Sequence, residues 1–186
     1  MNVFDAVLTN IAVRDFTDES LKEEHLIRIL DAARLCQSGK NLQPWYFIVI
    51  RDRGTMDALA ELMKGDVDEA IMKRSHTGIA IISDPKSEFD VVDAGRAAQN
   101  MTLVAWELGI GSVFISGPEP PERIPYRKKA KQLLGIPDHL NLVDLIVLGY
   151  PKRRRMVTRK NRKELKDIAF EGRFGRPTRL TKAATS

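Results

Sequence analysis

Cysteine is nearly absent from this chain. Cys36 stands alone among 186 residues, which excludes an intrachain disulfide framework and a cysteine zinc cluster. The three histidines, His25, His76 and His139, show no metal-ligand spacing, and His25 is expected to be solvated near the start of a helix. No apolar run approaches the length that spans a bilayer, and no basic-then-apolar leader opens the sequence, so a cytoplasmic location is expected. A P-loop and a G-x-S-x-G elbow are both missing. Gly109-Ile110-Gly111 lies at a helix-to-strand exit and lacks a third glycine, so it ends a helix and does not form a dinucleotide fingerprint.

Hydrophobic residues make up 43% of the chain, enough for one sizeable core and one domain, residues 1–175. Residues 176–186 carry no apolar period and form a tail, mobile or wrapped on a partner. The formal net charge is +5. Lys152 to Lys166 holds nine Lys or Arg and one acid, Glu164, a net of +8, leaving 5 − 8 = −3 for the rest. Basicity belongs to one short element. That favours a specific anion such as a phosphate over a polyanion surface. A nucleic-acid module acting through residues 152–166 is the minority alternative, and it lacks an aromatic stacking platform or reading helix.

Periodicity gives alternating helices and strands. Val3 to Leu8 reads as a helix. A second starts at Ser20 with Glu23 as a capping box, its inner face being Leu26, Ile29, Leu30 and Ala33. Tyr46 to Ile50, Ile79 to Ile82, Ser112 to Ile115 and Leu142 to Leu148 read as strands. Thr55 to Lys64 is a helix closed by Gly65, and Arg127 to Leu134 one closed by Gly135. Asp93 to Leu108 is apolar on most sides, as in a core helix or one shared with a second subunit. Pro118 to Pro125 reads as a loop, and about Lys163 to Phe170 as a final helix. Together these predict a mixed α/β layer.

The segment Ser38-Gly39-Lys40-Asn41-Leu42-Gln43-Pro44-Trp45 is built for hydrogen bonding more than packing. Gly39 permits a positive φ, Ser38, Asn41 and Gln43 supply donors and acceptors, and Pro44 biases Gln43 toward an extended backbone. Such a loop suits the edge of a flat heteroaromatic ligand; on these residues alone, an ordinary helix-to-strand connection is the better reading.

The segment resembles the S-x-x-N-x-Q-P-W signature of the flavin-dependent nitroreductase family. Three further stretches match in order. Val13-Arg14-Asp15-Phe16 resembles the end of R-R-S-x-R-x-F. Asp93-Ala94-Gly95 with Gln99-Asn100 and Leu108-Gly109-Ile110-Gly111 resembles D-x-G-x-x-x-Q-N and its L-G-x-G exit. Leu148-Gly149-Tyr150-Pro151 with Lys160-Asn161-Arg162-Lys163 resembles L-G-Y-P and the basic K-x-R-K element. The resemblance implies an α+β nitroreductase-like fold, a three-layer mixed sheet flanked by helices in an intertwined homodimer. It also implies an NAD(P)H-dependent flavin oxidoreductase that passes electrons through N5 of FMN to a small, flat, electron-poor acceptor such as a nitroaromatic or quinone.

Carried over residue by residue, the resemblance puts Arg14 beside the flavin pyrimidine, with a surface ion pair to Asp15 or Asp18 as its alternative. Ser38, Asn41 and Gln43 belong to the loop that contacts the ring or ribityl chain. Ser116 and Gly117 follow the third strand, where backbone N–H groups face N5; a turn glycine before Pro118 is the alternative. Lys160 and Arg162 form the phosphate clamp. No catalytic side chain and no metal ligand is assigned. Where the family has R-R-S, this chain has Asn10-Ile11-Ala12, without an arginine or serine for the phosphate, and Lys40 stands where a small residue is usual and supplies a charge. A flavin- or nucleotide-binding protein without turnover is the alternative that follows. The stretch from Gly65 to Lys73 is short, which implies an open substrate site.

Overall fold

The computed structural model describes residues 1–115, 124–153 and 160–178. Four strands, β1 (Trp45–Ile50), β2 (Thr77–Ser83), β3 (Gly111–Phe114) and β4 (Asn141–Gly149), form a sheet of order β1-β2-β4-β3. Every ladder is antiparallel. A parallel bridge, Ala12↔Ser112, docks the N-terminal strap on the β3 edge. Phe16 bridges Pro151 in the antiparallel sense beyond the end of β4.

Strand β2 is buried along its whole length because both faces are covered. Successive side chains of a strand point to opposite faces, and the two sets enter different cores. Ala80, Ile82, Leu145 and Val147 pack with Met56, Leu59 and Ala60 of α3 (Arg53–Glu61), Ile71 and Met72 of α4 (Val67–Arg74) and Ala130 of α6 (Ile124–Leu133). Ile79, Ile81, Ile146 and Leu148 pack with Leu26, Ile29 and Ala33 of α2 (Glu23–Arg34) and with α5 (Asp90–Glu107). The result is three layers. Ala94, Ala97, Ala98, Met101 and Ala105 of α5 are all buried, and these mostly small side chains let the helix lie close on the sheet. Helix α1 (Val3–Thr9) crosses α5 and buries only Ala6.

Two expectations are corrected and one element is added. No capping box forms at Ser20: α2 begins at Glu23 behind Lys22, which makes no side-chain cap bond. The Glu23 carboxylate accepts instead from Arg51 Nη1 at 2.7 Å. The stretch after Gly65 contains a helix of its own, α4, capped by Asp66. The final helix shrinks to α7 (Leu165–Ile168), none of whose residues is buried; without a packed face, so short a helix does not extend. Residues 118–123 of the expected proline-rich loop, and 179–186 of the tail, lie outside the described residues.

Candidate functional site

Two pieces of the site form on α5, one near its start and one near its middle. The first is the Ser38–Gln43 loop between α2 and β1. The Asp93 carboxylate, 0% exposed, accepts the Gly39 N–H at 2.8 Å and Arg96 Nη1 at 2.8 Å. A Cβ at Gly39 would collide with the Phe89 ring, so only glycine lets the loop sit this close to α5. Ser38 Oγ accepts the Gln43 N–H at 3.0 Å, closing the loop on itself. Gln43 Nε2 reaches Asn41 O and Oδ1, both at 3.4 Å.

The loop backbone is unusual. Lys40, Asn41 and Gln43 have φ of 52°, 55° and 48°, a region that L side chains enter at roughly 1–2 kcal/mol each. The extended conformation expected at Gln43 before Pro44 is therefore corrected: the Ser38 bond holds its N–H, and the Pro44 carbonyl is fixed by the Asp84 N–H at 2.8 Å. Strain held this way clusters at ligand clamps. Lys40 Nζ lies 3.3 Å from Glu88 in an exposed ion pair, so its charge is matched locally.

The second piece is a cleft of about 390 Å³, within the size range of small-molecule sites. Its walls are Asn10 to Ala12 of the strap, Gln99 and Thr102 of α5, the β3 edge, and residues 160–162. Lys160 Nζ donates to Val7 O at 2.8 Å, and Arg162 Nη1 to Asn161 O at 2.7 Å. Among the described residues neither has a carboxylate within ion-pair distance. Burial pushes the Lys160 ammonium below the usual lysine range, and Arg162 beside it pushes the same way. Two adjacent cations without an acid make a site for an anion. Asn10 Nδ2 points to Thr102 Oγ1 at 3.5 Å, so the position that lacks the usual arginine still presents a polar wall.

The structure thus brings Lys160, Arg162 and Asn10 together, and keeps Ser38, Lys40, Asn41 and Gln43 apart from them. From Asp93, which holds the loop, to Gln99 in the cleft is six residues, about 9 Å along the helix axis. Arg14 is exposed on the strap. Its expected alternative pairings do not form: Asp15 lies 3.5 Å from Lys152 and Asp18 lies 3.7 Å from His76. Ser116 and Gly117 lie outside the described residues. His25, expected in solvent, has its Nδ1 3.1 Å from the Tyr150 hydroxyl and a side chain only 19% exposed. Cys36 is half-buried, and its thiol is pushed up by burial and then by Asp93. Sequence reasoning missed Asp93 as the loop's anchor; the signal was a carboxylate on the most apolar helix. No helix among the described residues is long and apolar enough to cross a membrane.

Comparison with known proteins supplies the family. The model of the Nitroreductase family matches residues 11–78 and 69–150. A protein of Archaeoglobus fulgidus named "Putative NADH dehydrogenase/NAD(P)H nitroreductase" is 34% identical over 151 residues, 78% of this chain and 83% of that protein. A protein of the same name from Methanothermobacter thermautotrophicus is 32% identical over 155 residues, 81% of this chain and 78% of its own. Among solved structures, an FMN-dependent nitroreductase of Clostridium difficile superposes with a TM-score of 0.80 at 27% identity, covering 90% of this chain and 98% of its own.

Proposed function

The chain belongs to the nitroreductase family, and from that premise we propose that the FMN-dependent NAD(P)H oxidoreductase it forms reduces a flat, electron-poor acceptor such as a nitroaromatic or quinone. The observation that carries the cofactor site is the cleft in which Lys160 and Arg162 converge without a carboxylate partner among the described residues. These residues fit the phosphate end of FMN: two cations, with Asn10, Gln99 and Thr102 as polar neighbours and Ile11 and Val113 as apolar ones. When bound, FMN supplies the two-electron chemistry between NAD(P)H and the acceptor.

The chain's own residues bind and orient. Lys160 and Arg162 hold the phosphate. Arg14, with Ser116 and Gly117, serves the ring, its fixed guanidinium charge favouring the anionic reduced form. Ser38, Lys40, Asn41 and Gln43 hold the ring or ribityl chain from a loop already fixed in shape. We assign no side chain as acid or base; water or the flavin itself would supply the proton.

A second copy of the chain completes this reading. We read the cofactor as lying at the interface of an intertwined homodimer, as the family resemblance implies, with a partner's loop completing the cleft. Exposed apolar side chains suit such a contact: Val3 and Phe4 of α1 are 78% and 68% exposed, and Val92 of α5 is 56% exposed, apolar area that favours burial on association. We read residues 1–175 as one domain, 176–186 as a tail laid on that partner, and the cell interior as the compartment in which the lone thiol persists.

The test is Lys160→Ala with Arg162→Ala. Two charge-assisted hydrogen bonds at roughly 1.5 kcal/mol or more each predict a loss of FMN affinity of about 100-fold. Undiminished affinity by flavin fluorescence would refute the clamp. Anaerobic bleaching of the bound flavin by NADPH or NADH, then reoxidation by a nitroaromatic or quinone, tests the acceptor; bleaching without reoxidation by either class would refute it.

A further inference from the structure

A second cleft, of about 640 Å³, opens between α6 and the first residues of β4 and α5. Helix α6 carries Arg127, Lys128, Lys129 and Lys131 and no acid. Three of these, Arg127, Lys128 and Lys131, line the cleft. Lys131 follows Lys128 by three and Arg127 by four, which puts it on one side of the helix with each of them. Arg127 Nη1 donates to Leu142 O at 3.0 Å and Lys131 Nζ to Asp138 O at 3.0 Å, so backbone carbonyls help to fix both heads, and the carbonyl that holds Lys131 leaves its ammonium charge in place. Among the described residues, neither Lys128 nor Lys131 has a carboxylate within ion-pair distance. Several cations elsewhere are matched, Lys64 with Glu61, Lys73 with Glu69 and Arg28 with Glu107.

Among the described residues the acids nearby do not offset Lys128 and Lys131. Asp138 lines the cleft as one acid beside these two lysines. Asp90, at the adjoining end of α5, already accepts from Ser83 Oγ at 2.6 Å and Asn141 Nδ2 at 3.2 Å. The opposite wall is apolar, with Val91 half exposed and Val143 half-buried. Cations facing an exposed apolar wall across a small-molecule-sized cleft suit a ligand that is anionic at one end and flat and apolar at the other.

We propose that this cleft is a second anion site, binding a phosphorylated nucleotide with its phosphate at Lys128 and Lys131 and its base on Val91 and Val143. It is distinct from the cleft at Lys160 and Arg162. Val91 precedes Gln99 by eight residues, about 12 Å of helix, and Val143 precedes Ile146, the partner of Phe114, by three, about 10 Å of strand. An extended dinucleotide spans that separation. Resting on the oxidoreductase reading above, the nucleotide is the adenosine half of NAD(P)H, which makes the α6 cations the determinants of dinucleotide affinity.

Titration calorimetry of the FMN-loaded protein with adenosine 2′,5′-bisphosphate tests the site, with adenosine as the uncharged comparison. Saturable one-to-one binding of the bisphosphate is expected, at least tenfold tighter than adenosine, and weakened at least tenfold in the double variant Lys128→Gln, Lys131→Gln. That variant should keep the flavin spectrum, since neither residue lines the Lys160 cleft. Equal binding of bisphosphate and adenosine, or equal affinity in the variant, overturns the proposal. In steady-state kinetics, a raised KM for NADPH alone identifies the 2′-phosphate as the group held, and a raised KM for both NADPH and NADH identifies the pyrophosphate. Unchanged KM for both overturns the assignment to the reductant. Repeating the titration on flavin-free protein separates the two readings, because bisphosphate binding there stands whether or not FMN binds at Lys160.

Discussion

Truncating Asp93 to alanine should free the Ser38–Gln43 loop while leaving the sheet and its two cores in place. The wild-type carboxylate is fully buried and accepts the Gly39 N–H at 2.8 Å; a hydrogen bond to a charged group of this kind contributes roughly 1.5–3 kcal/mol. Its second partner, Arg96, has a side chain 56% exposed, so that contact adds at most about 0.5 kcal/mol after solvent screening. Removing a buried charge recovers some desolvation free energy, and the net change is about 2 kcal/mol. Against it stand the three left-handed residues Lys40, Asn41 and Gln43, which relax once the anchor is gone. A change of 2 kcal/mol raises the population of the released loop about 30-fold. Trypsin reports this directly, because Lys40 is exposed but its peptide bond is held in a fixed left-handed turn. Cleavage after Lys40 should accelerate by that factor in Asp93→Ala, tracking the open population. Asp93→Asn keeps an acceptor for the Gly39 N–H and should lie between the two. Urea unfolding checks that the variant remains folded. Equal cleavage rates at Lys40 in wild type and Asp93→Ala would refute the claim that this carboxylate holds the loop.

Other expectations concern the strap, the clamp and the loop backbone. Gly111→Ala places a Cβ 2.6 Å from Val13 Cβ and Cγ2. Such overpacking costs roughly 1–3 kcal/mol, and since it pushes the strap carrying Arg14 off β3, both Tm and flavin affinity should fall; an unchanged Tm would contradict the packing described. Lys160 has its pKa lowered first by burial and then by Arg162. The unfolded chain therefore binds more protons between that lowered value and the ordinary 10.5, so this residue's contribution to stability rises with pH across the window. Phosphate binding needs the charged form, so FMN affinity should fall as pH rises through the lowered pKa. Lys160→Arg, always charged, should extend tight binding to higher pH; superimposable profiles would remove Lys160 from the clamp. Gln43→Gly relieves a left-handed φ of 48° and should raise stability by about 0.5–1 kcal/mol in urea titrations, since glycine enters that region freely; a loss of stability would show that the side chain's bonds to Asn41 outweigh the strain.

The elements that sequence made legible are those whose pattern is local. Four apolar, β-branched runs became β1 to β4 with ends shifted by a residue or two, and the alanine-rich stripe of α5 was visible at helical spacing. Lys160 and Arg162 were legible as a pair through the resemblance to the family's basic element, with which their spacing of two agrees, and the structure adds Asn10 from the other end of the chain. Helix α4 was missed because only Ile71 and Met72 are buried in it, too few for a period. Gln43 was misread because a proline's local bias gave way to one hydrogen bond from its N–H to Ser38 Oγ, which no rule for the preceding residue contains. The α6 cations show the same limit in electrostatics. A chain that is net −3 outside residues 152–166 offers no sign of a second basic site, because summed charge counts Glu61 and Glu69 against Lys128 and Lys131 although they neutralise Lys64 and Lys73. What attracts an anion is a cation with no carboxylate in reach, and that depends on which side chains the fold places together.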